Sequence, residues 1–128
     1  MIPAGTTTDE FLTSLELVPT LASACGFTVP GKTKLDGYDM LPVLQGNSKS
    51  PRESMFWKRR DSLGGRVGNW KYVRMGGKEF LFDLSKDVGE RNDLKESHAG
   101  QFKQMKAAFQ AWLDRMDASE PRGPFRDF

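Results

Sequence analysis

The chain has 128 residues, 19 basic and 17 acidic, giving a net charge of +2, with 38% hydrophobic and 11% aromatic side chains. That length supports one domain at most, burying roughly two thirds of its unfolded surface, and the apolar share argues against wholesale disorder. The near balance of charge excludes strong steering of a partner by the molecule as a whole, while leaving room for a local basic patch.

The single cysteine, Cys25, excludes an intramolecular disulfide framework. The opening stretch MIPAGTTTDEF has no basic region followed by an apolar one, so it does not read as a signal peptide. No apolar run approaches the ~20 residues of a membrane span.

Residues 1–13 are polar and threonine-rich, suited to an extended entry or a short strand. A helix is expected over 14–25: Thr13 or Ser14 caps it, Glu16 favours its first turn and Gly26 stops it. Pro19 is compatible only with a helix that begins just before it, or kinks. Leu15, Leu17, Val18, Leu21, Ala22 and Ala24 cover most of this helix's circumference, so it requires neighbours on more than one side.

Residues 27–53 form a loop-rich region with one helical turn expected around Leu41 to Leu44, closed by Gly46. A sheet is expected over 54–84. SMFWKRR supplies a strand in which Phe56 and Trp57 point to opposite faces, and a short strand follows around Arg66 and Val67. NWKYVRM and KEFLFDL form a hairpin across Gly76-Gly77, and Gly64-Gly65 also reads as a turn.

After the polar turn SKDVGERNDL, helical periodicity runs over 97–117. Phe102, Met105, Phe109, Trp112, Leu113 and Met116 lie on one stripe, and Lys103, Lys106, Gln110, Asp114 and Arg115 lie opposite. The tail SEPRGPFRDF is expected to be loosely held. The fold class is therefore α+β: a small antiparallel sheet of three to four strands covered by a C-terminal amphipathic helix, plus an N-terminal helix. Trp70, Tyr72, Phe80 and Phe82 are read as core beneath the covering helix rather than as a stacking platform.

Chemistry-bearing constellations are sparse. His98, the sole histidine, sits at the polar start of the last helix without a cysteine or second histidine at ligand spacing, and reads as solvated. Asp36 and Asp39 lack the spacing of a calcium-binding loop, and an Asx-type turn at Asp36-Gly37 fits better. No catalytic residue and no metal ligand is assigned.

The basic run Lys58-Arg59-Arg60, with Arg52, Arg66, Lys71 and Arg74 near in sequence and Trp57 beside it, supports two readings. One is a solvated strand edge protected against strand addition. The other is a positive wall whose arginine forks suit sulfate, phosphate or carboxylate. Balanced charge and aromatics committed to the core argue against nucleic acid.

Five blocks in order then carry a family resemblance: Glu16 with Pro19-Thr20, Asp36-Gly37, Arg66-Val67-Gly68-Asn69-Trp70-Lys71, Leu81-Phe82-Asp83-Leu84, and Gly89-Glu90. Over residues 3–116 the chain resembles the C-terminal portion of arylsulfatase-type sulfatases, of the alkaline-phosphatase-like superfamily. The resemblance implies a small sheet covered by one helix, following a large catalytic domain that hydrolyses sulfate esters. It implies calcium and a formylglycine for the parent enzyme, the latter made within a Cys/Ser-x-Pro-x-Arg motif. Cys25 is followed by Gly26-Phe27-Thr28-Val29, so it is no formylglycine precursor, and Asn92-Asp93 reverses the family's Asp-Asn calcium pair. No cofactor is expected in this chain, and the parent enzyme is expected to be exported.

The leading expectation is a sulfatase C-terminal subdomain, inactive alone, that supports the catalytic domain and lines the substrate cleft. Arg59, Arg60 and Arg66 are then the candidate substrate contacts, and the 14–25 helix packs on the absent N-terminal domain. The alternatives are a stand-alone module for anions or sulfated glycans, or one that self-associates through that helix; neither nucleic acid nor a membrane is an expected partner.

Overall fold

Thr13 organises the start of the first helix. In the computed structural model, which describes residues 2–119, Thr13 is extended and its hydroxyl accepts from the Leu15 N–H. Glu16 reaches back to accept from the Thr13 N–H at 2.5 Å and its hydroxyl at 2.6 Å, a reciprocal cap. A 3-10 turn, Ser14–Glu16, leads into α1, Leu17–Ala24. Pro19 thus falls in the first α-helical turn, where no intrahelical donor is required, and the proline is accommodated there. Gly26, at φ 68°, ends the helix, and the Phe27 and Gly26 N–H groups donate to the Ala22 and Ser23 carbonyls. The short α2, Leu41–Leu44, ends the same way at Gly46, φ 77°.

The chain divides into two compact units, Met1–Glu53 and Ser54–Phe128. Met40 and Val43 are the buried apolar residues of the first. A buried ion pair ties its loops together. Arg52 donates through Nε to Glu16 Oε1 at 2.6 Å, adds an Nη2 contact to the same carboxylate, and donates from Nη2 to the Asp36 carbonyl at 2.9 Å. Its guanidinium lies 5.0 Å from the Tyr38 ring centroid. The neighbouring Gly37 has no room for a side chain, because an added Cβ would fall 1.9 Å from the Leu15 carbonyl oxygen. The Asx-type bond in this loop is made by Asp39, whose Oδ1 accepts from the Leu41 N–H at 2.9 Å.

The second unit is a four-stranded antiparallel meander, β1 (Ser54–Arg59), β2 (Ser62–Val67), β3 (Trp70–Met75) and β4 (Lys78–Asp83), followed by α3 (Ala99–Ala118). The expected α+β architecture is present. Pairing of Met75 with Lys78 leaves Gly76 and Gly77, φ 58° and 74°, as a two-residue turn in the backbone geometry that glycine favours.

Gly64-Gly65 is not a turn. Both residues lie inside β2, and the chain reverses one step earlier at Arg60-Asp61, with Arg60 at φ 52°. The glycines are needed because rings lie over them: an added Cβ would fall 2.3 Å from Trp57 Nε1 at Gly64 and 2.6 Å from the Phe56 ring at Gly65. The strand expected around Arg66 and Val67 is accordingly longer.

The strand registers divide the sheet into two faces. Phe56, Gly65, Tyr72 and Leu81 lie in one row facing α3, with Leu63, Val67 and Trp70 on the same face. Leu63, Tyr72, Leu81, Met105 and Phe109 form the buried core, and Phe56, Phe102, Trp112 and Leu113 pack around it. Phe109 meets Phe56 edge-on at 6.0 Å and Tyr72 at 5.8 Å. Of the expected helix stripe, Met116 departs, being 44% exposed in the last turns of α3. Phe80 and Phe82 also depart from expectation. They stack on each other on the opposite face, away from the row that α3 covers. Residues 2–13 contain no strand, and the tail from residue 120 lies outside the described residues.

Candidate functional site: a basic sheet face around Trp57

The face turned away from α3 carries Met55, Trp57 and Arg59 from β1, and Ser62, Gly64 and Arg66 from β2. Lys71, Val73 and Met75 follow from β3, then Lys78, Phe80 and Phe82 from β4. Every charged strand residue on this face is basic. The carboxylates Glu79 and Asp83 are on the other face, in the rows facing α3. Strand alternation has therefore kept the strand carboxylates off this face, while the α3 side carries Lys58 and Arg74 as well as Glu79 and Asp83.

Trp57 organises the exposed part of this surface. Because Gly64 has no side chain, the indole lies across β2 and reaches toward β3, where Lys71 Nζ stands 5.8 Å from the ring centroid. Lys71 is fixed in turn by Glu90, which accepts from Nζ at 2.5 Å; Glu90 has a left-handed φ of 55° in the turn after β4. The indole remains 40% exposed. Arg59, two residues further along β1, is exposed on the same face, and Arg60 is exposed at the hairpin tip.

The three candidate substrate contacts are not gathered into one cluster. Arg59 and Arg60 are together at the tip of the β1–β2 hairpin. Arg66 pairs with Met55, four residues along the ladder from the Arg59–Ser62 pair, about 13 Å at the strand rise. Arg66 donates through Nε to the Gly68 carbonyl at 2.8 Å. The sequence pointed to the basic run, but Trp57's reach toward Lys71 depended on Gly64 being a strand residue.

The remaining polar groups serve structure. Glu79 accepts from the Tyr72 hydroxyl at 2.6 Å and from Lys106 Nζ at 2.9 Å, which ties β3 and β4 to α3. The hydrogen bonds from Tyr72 and then Lys106 hold the Glu79 carboxyl below its ordinary range. Burial, then the Glu79 carboxylate, pushes the Tyr72 phenol well up. His98 is exposed, with Nδ1 3.0 Å from Ser97 Oγ and its ring 5.3 Å from Trp70. Cys25 is exposed at the end of α1, without the proline and arginine of a formylglycine motif after it. Among the described residues no group of three or more histidine, cysteine or acidic side chains could hold a metal ion. These residues do not fit the calcium and formylglycine of a sulfatase centre.

No family model matches the sequence. Human arylsulfatase A is 32% identical over an alignment covering 91% of this chain and 29% of the relative. Among solved structures, Ps i-CgsB superposes with a TM-score of 0.70 at 25% identity, covering 86% of this chain and 26% of that one. BT1596, a 2-O GAG sulfatase, gives a TM-score of 0.62 at 26% identity, covering 86% of this chain and 27% of that one. The chain thus spans under a third of the length of the arylsulfatase it matches. It belongs to the arylsulfatase-type sulfatases and corresponds to their C-terminal region.

Proposed function

We propose that this region supports a sulfatase catalytic domain and lines its substrate cleft, and that it has no sulfatase activity by itself. The observation that carries this reading is the surface of α1. Leu17, Val18 and Leu21 are each about 60% exposed, and Leu15 and Phe27 extend the same apolar character. Such a cluster on a helix is a surface for a protein neighbour. The missing length relative to the arylsulfatase, which includes the catalytic machinery in that family, supplies one. The tip arginines Arg59 and Arg60, with Arg66 further along the same sheet face, then meet the anionic part of the substrate, and the resemblance to BT1596 favours a sulfated glycosaminoglycan.

Leu17→Gln combined with Leu21→Gln tests the docking role. In this chain alone the pair leaves the melting temperature essentially unchanged, since both side chains already face solvent. In a polypeptide that continues through the catalytic domain, it lowers both melting temperature and turnover. Equal effects in the two contexts would refute the docking. The self-association alternative predicts instead that the isolated chain is dimeric by light scattering and becomes monomeric in the double variant.

A further inference from the structure

We propose that Trp57 forms a stacking subsite for a pyranose ring of a sulfated glycan, with Arg59 positioned to take a sulfate on that ring or its neighbour. This deepens the cleft-lining reading above and rests on it.

Three features converge on Trp57. First, the indole does not fill a core. It lies over Gly64 with one side against the sheet and is 40% exposed. A tryptophan seated on the backbone at Gly64 gives an apolar surface of little side-chain freedom, which suits the C–H face of a sugar ring. Second, a cation borders it from across the sheet: Lys71 stands 5.8 Å from the ring centroid and is itself held by Glu90. Third, the charged strand residues on this face are all basic; Glu90 matches the charge of Lys71 beside the indole, and Arg59 supplies the attraction for an anionic ligand. Arg59 is on the same strand and face, about 7 Å from Trp57 along the backbone. Its planar fork matches a sulfate's oxygens.

A nucleobase would also stack on an indole. The sulfated sugar is favoured because the chain matches a glycosaminoglycan sulfatase along most of its length. Of the strand aromatics on this face only Trp57 is exposed, Phe82 being buried, whereas runs of bases use several exposed rings in succession.

The test follows the indole N–H signals of the 128-residue chain by NMR, with Trp57 assigned from its absence in Trp57→Phe. The ligands are a heparin-derived hexasaccharide, its desulfated counterpart, inorganic sulfate and a short oligothymidylate. The hexasaccharide should shift the Trp57 indole signal at concentrations where the other three do not. Trp57→Ala should weaken its binding roughly tenfold, and Trp57→Phe less. Arg59→Ala, at an exposed strand end where folding is not at stake, should weaken it several-fold and reduce its salt dependence. An unmoved Trp57 signal, unchanged affinity in both alanine variants, or equal perturbation by the oligothymidylate would overturn the proposal. None of those results would disturb the α1 docking test, so the two readings fail separately.

Discussion

Arg52 and Glu16 show how much a single buried pair does in the loop-rich unit. Burial alone would raise the Glu16 carboxyl, but hydrogen bonds from Thr13 and Arg52 outweigh it and hold the group below its usual range. Both side chains are almost fully buried, at 7% and 4% exposure. Removing one partner strands the other charge, which is the costly way to break such a pair. Arg52→Met should therefore destabilise the chain by about 3–5 kcal/mol in urea titration. A loss below about 1 kcal/mol would show that Glu16 finds another partner or solvent. Nothing in the sequence marked this pair: Arg52 follows Pro51 in an aperiodic stretch, and its partner is 36 residues away.

At the scale of elements, α3 on the four-stranded sheet is the expected architecture, and it was legible because both periodicities are clean. Phe102, Met105, Phe109 and Trp112 repeat at helical spacing, and Trp70 and Tyr72 alternate with Lys71 and Val73. Gly64-Gly65 misled because two adjacent glycines carry the same local signal at a hairpin turn as beneath two aromatic rings. That error hid most of β2, and with it the sheet face around Trp57 that carries no strand carboxylate. Register, which assigns Phe80 and Phe82 to that face, depends on where each turn falls.

Glu79 gives the element scale its pH dependence. Its folded pKa lies below the ordinary glutamate value of 4.5, so its contribution is complete above that pH and is lost as pH falls through the folded value. Glu16 acts in the same direction. Stability should be level from neutral pH to about 5 and decline below 4.5. Glu79→Gln should cost about 1–2 kcal/mol at pH 7 and make the acid decline shallower, as read from denaturant midpoints across pH. A variant curve parallel to the parent's would remove Glu79 from the linkage between α3 and the sheet.

On the scale of the whole molecule, the notable property is what the surface shows. Helix α1 presents Leu17, Val18 and Leu21 to solvent, a basic sheet face surrounds an exposed tryptophan, and the described residues bring together no metal-binding cluster. The family was legible in the sequence because five short blocks keep their order through most of the chain. The candidate contacts were legible only as a basic run, since their distribution along a hairpin depends on tertiary pairing.

The most direct measurement is turnover of a chromogenic aryl sulfate, with calcium supplied, by this 128-residue chain and by the same chain joined to a sulfatase catalytic domain. The chain alone should remain at the uncatalysed rate, while the joined polypeptide hydrolyses the ester. Hydrolysis by the isolated chain would contradict the proposal that this region has no sulfatase activity by itself.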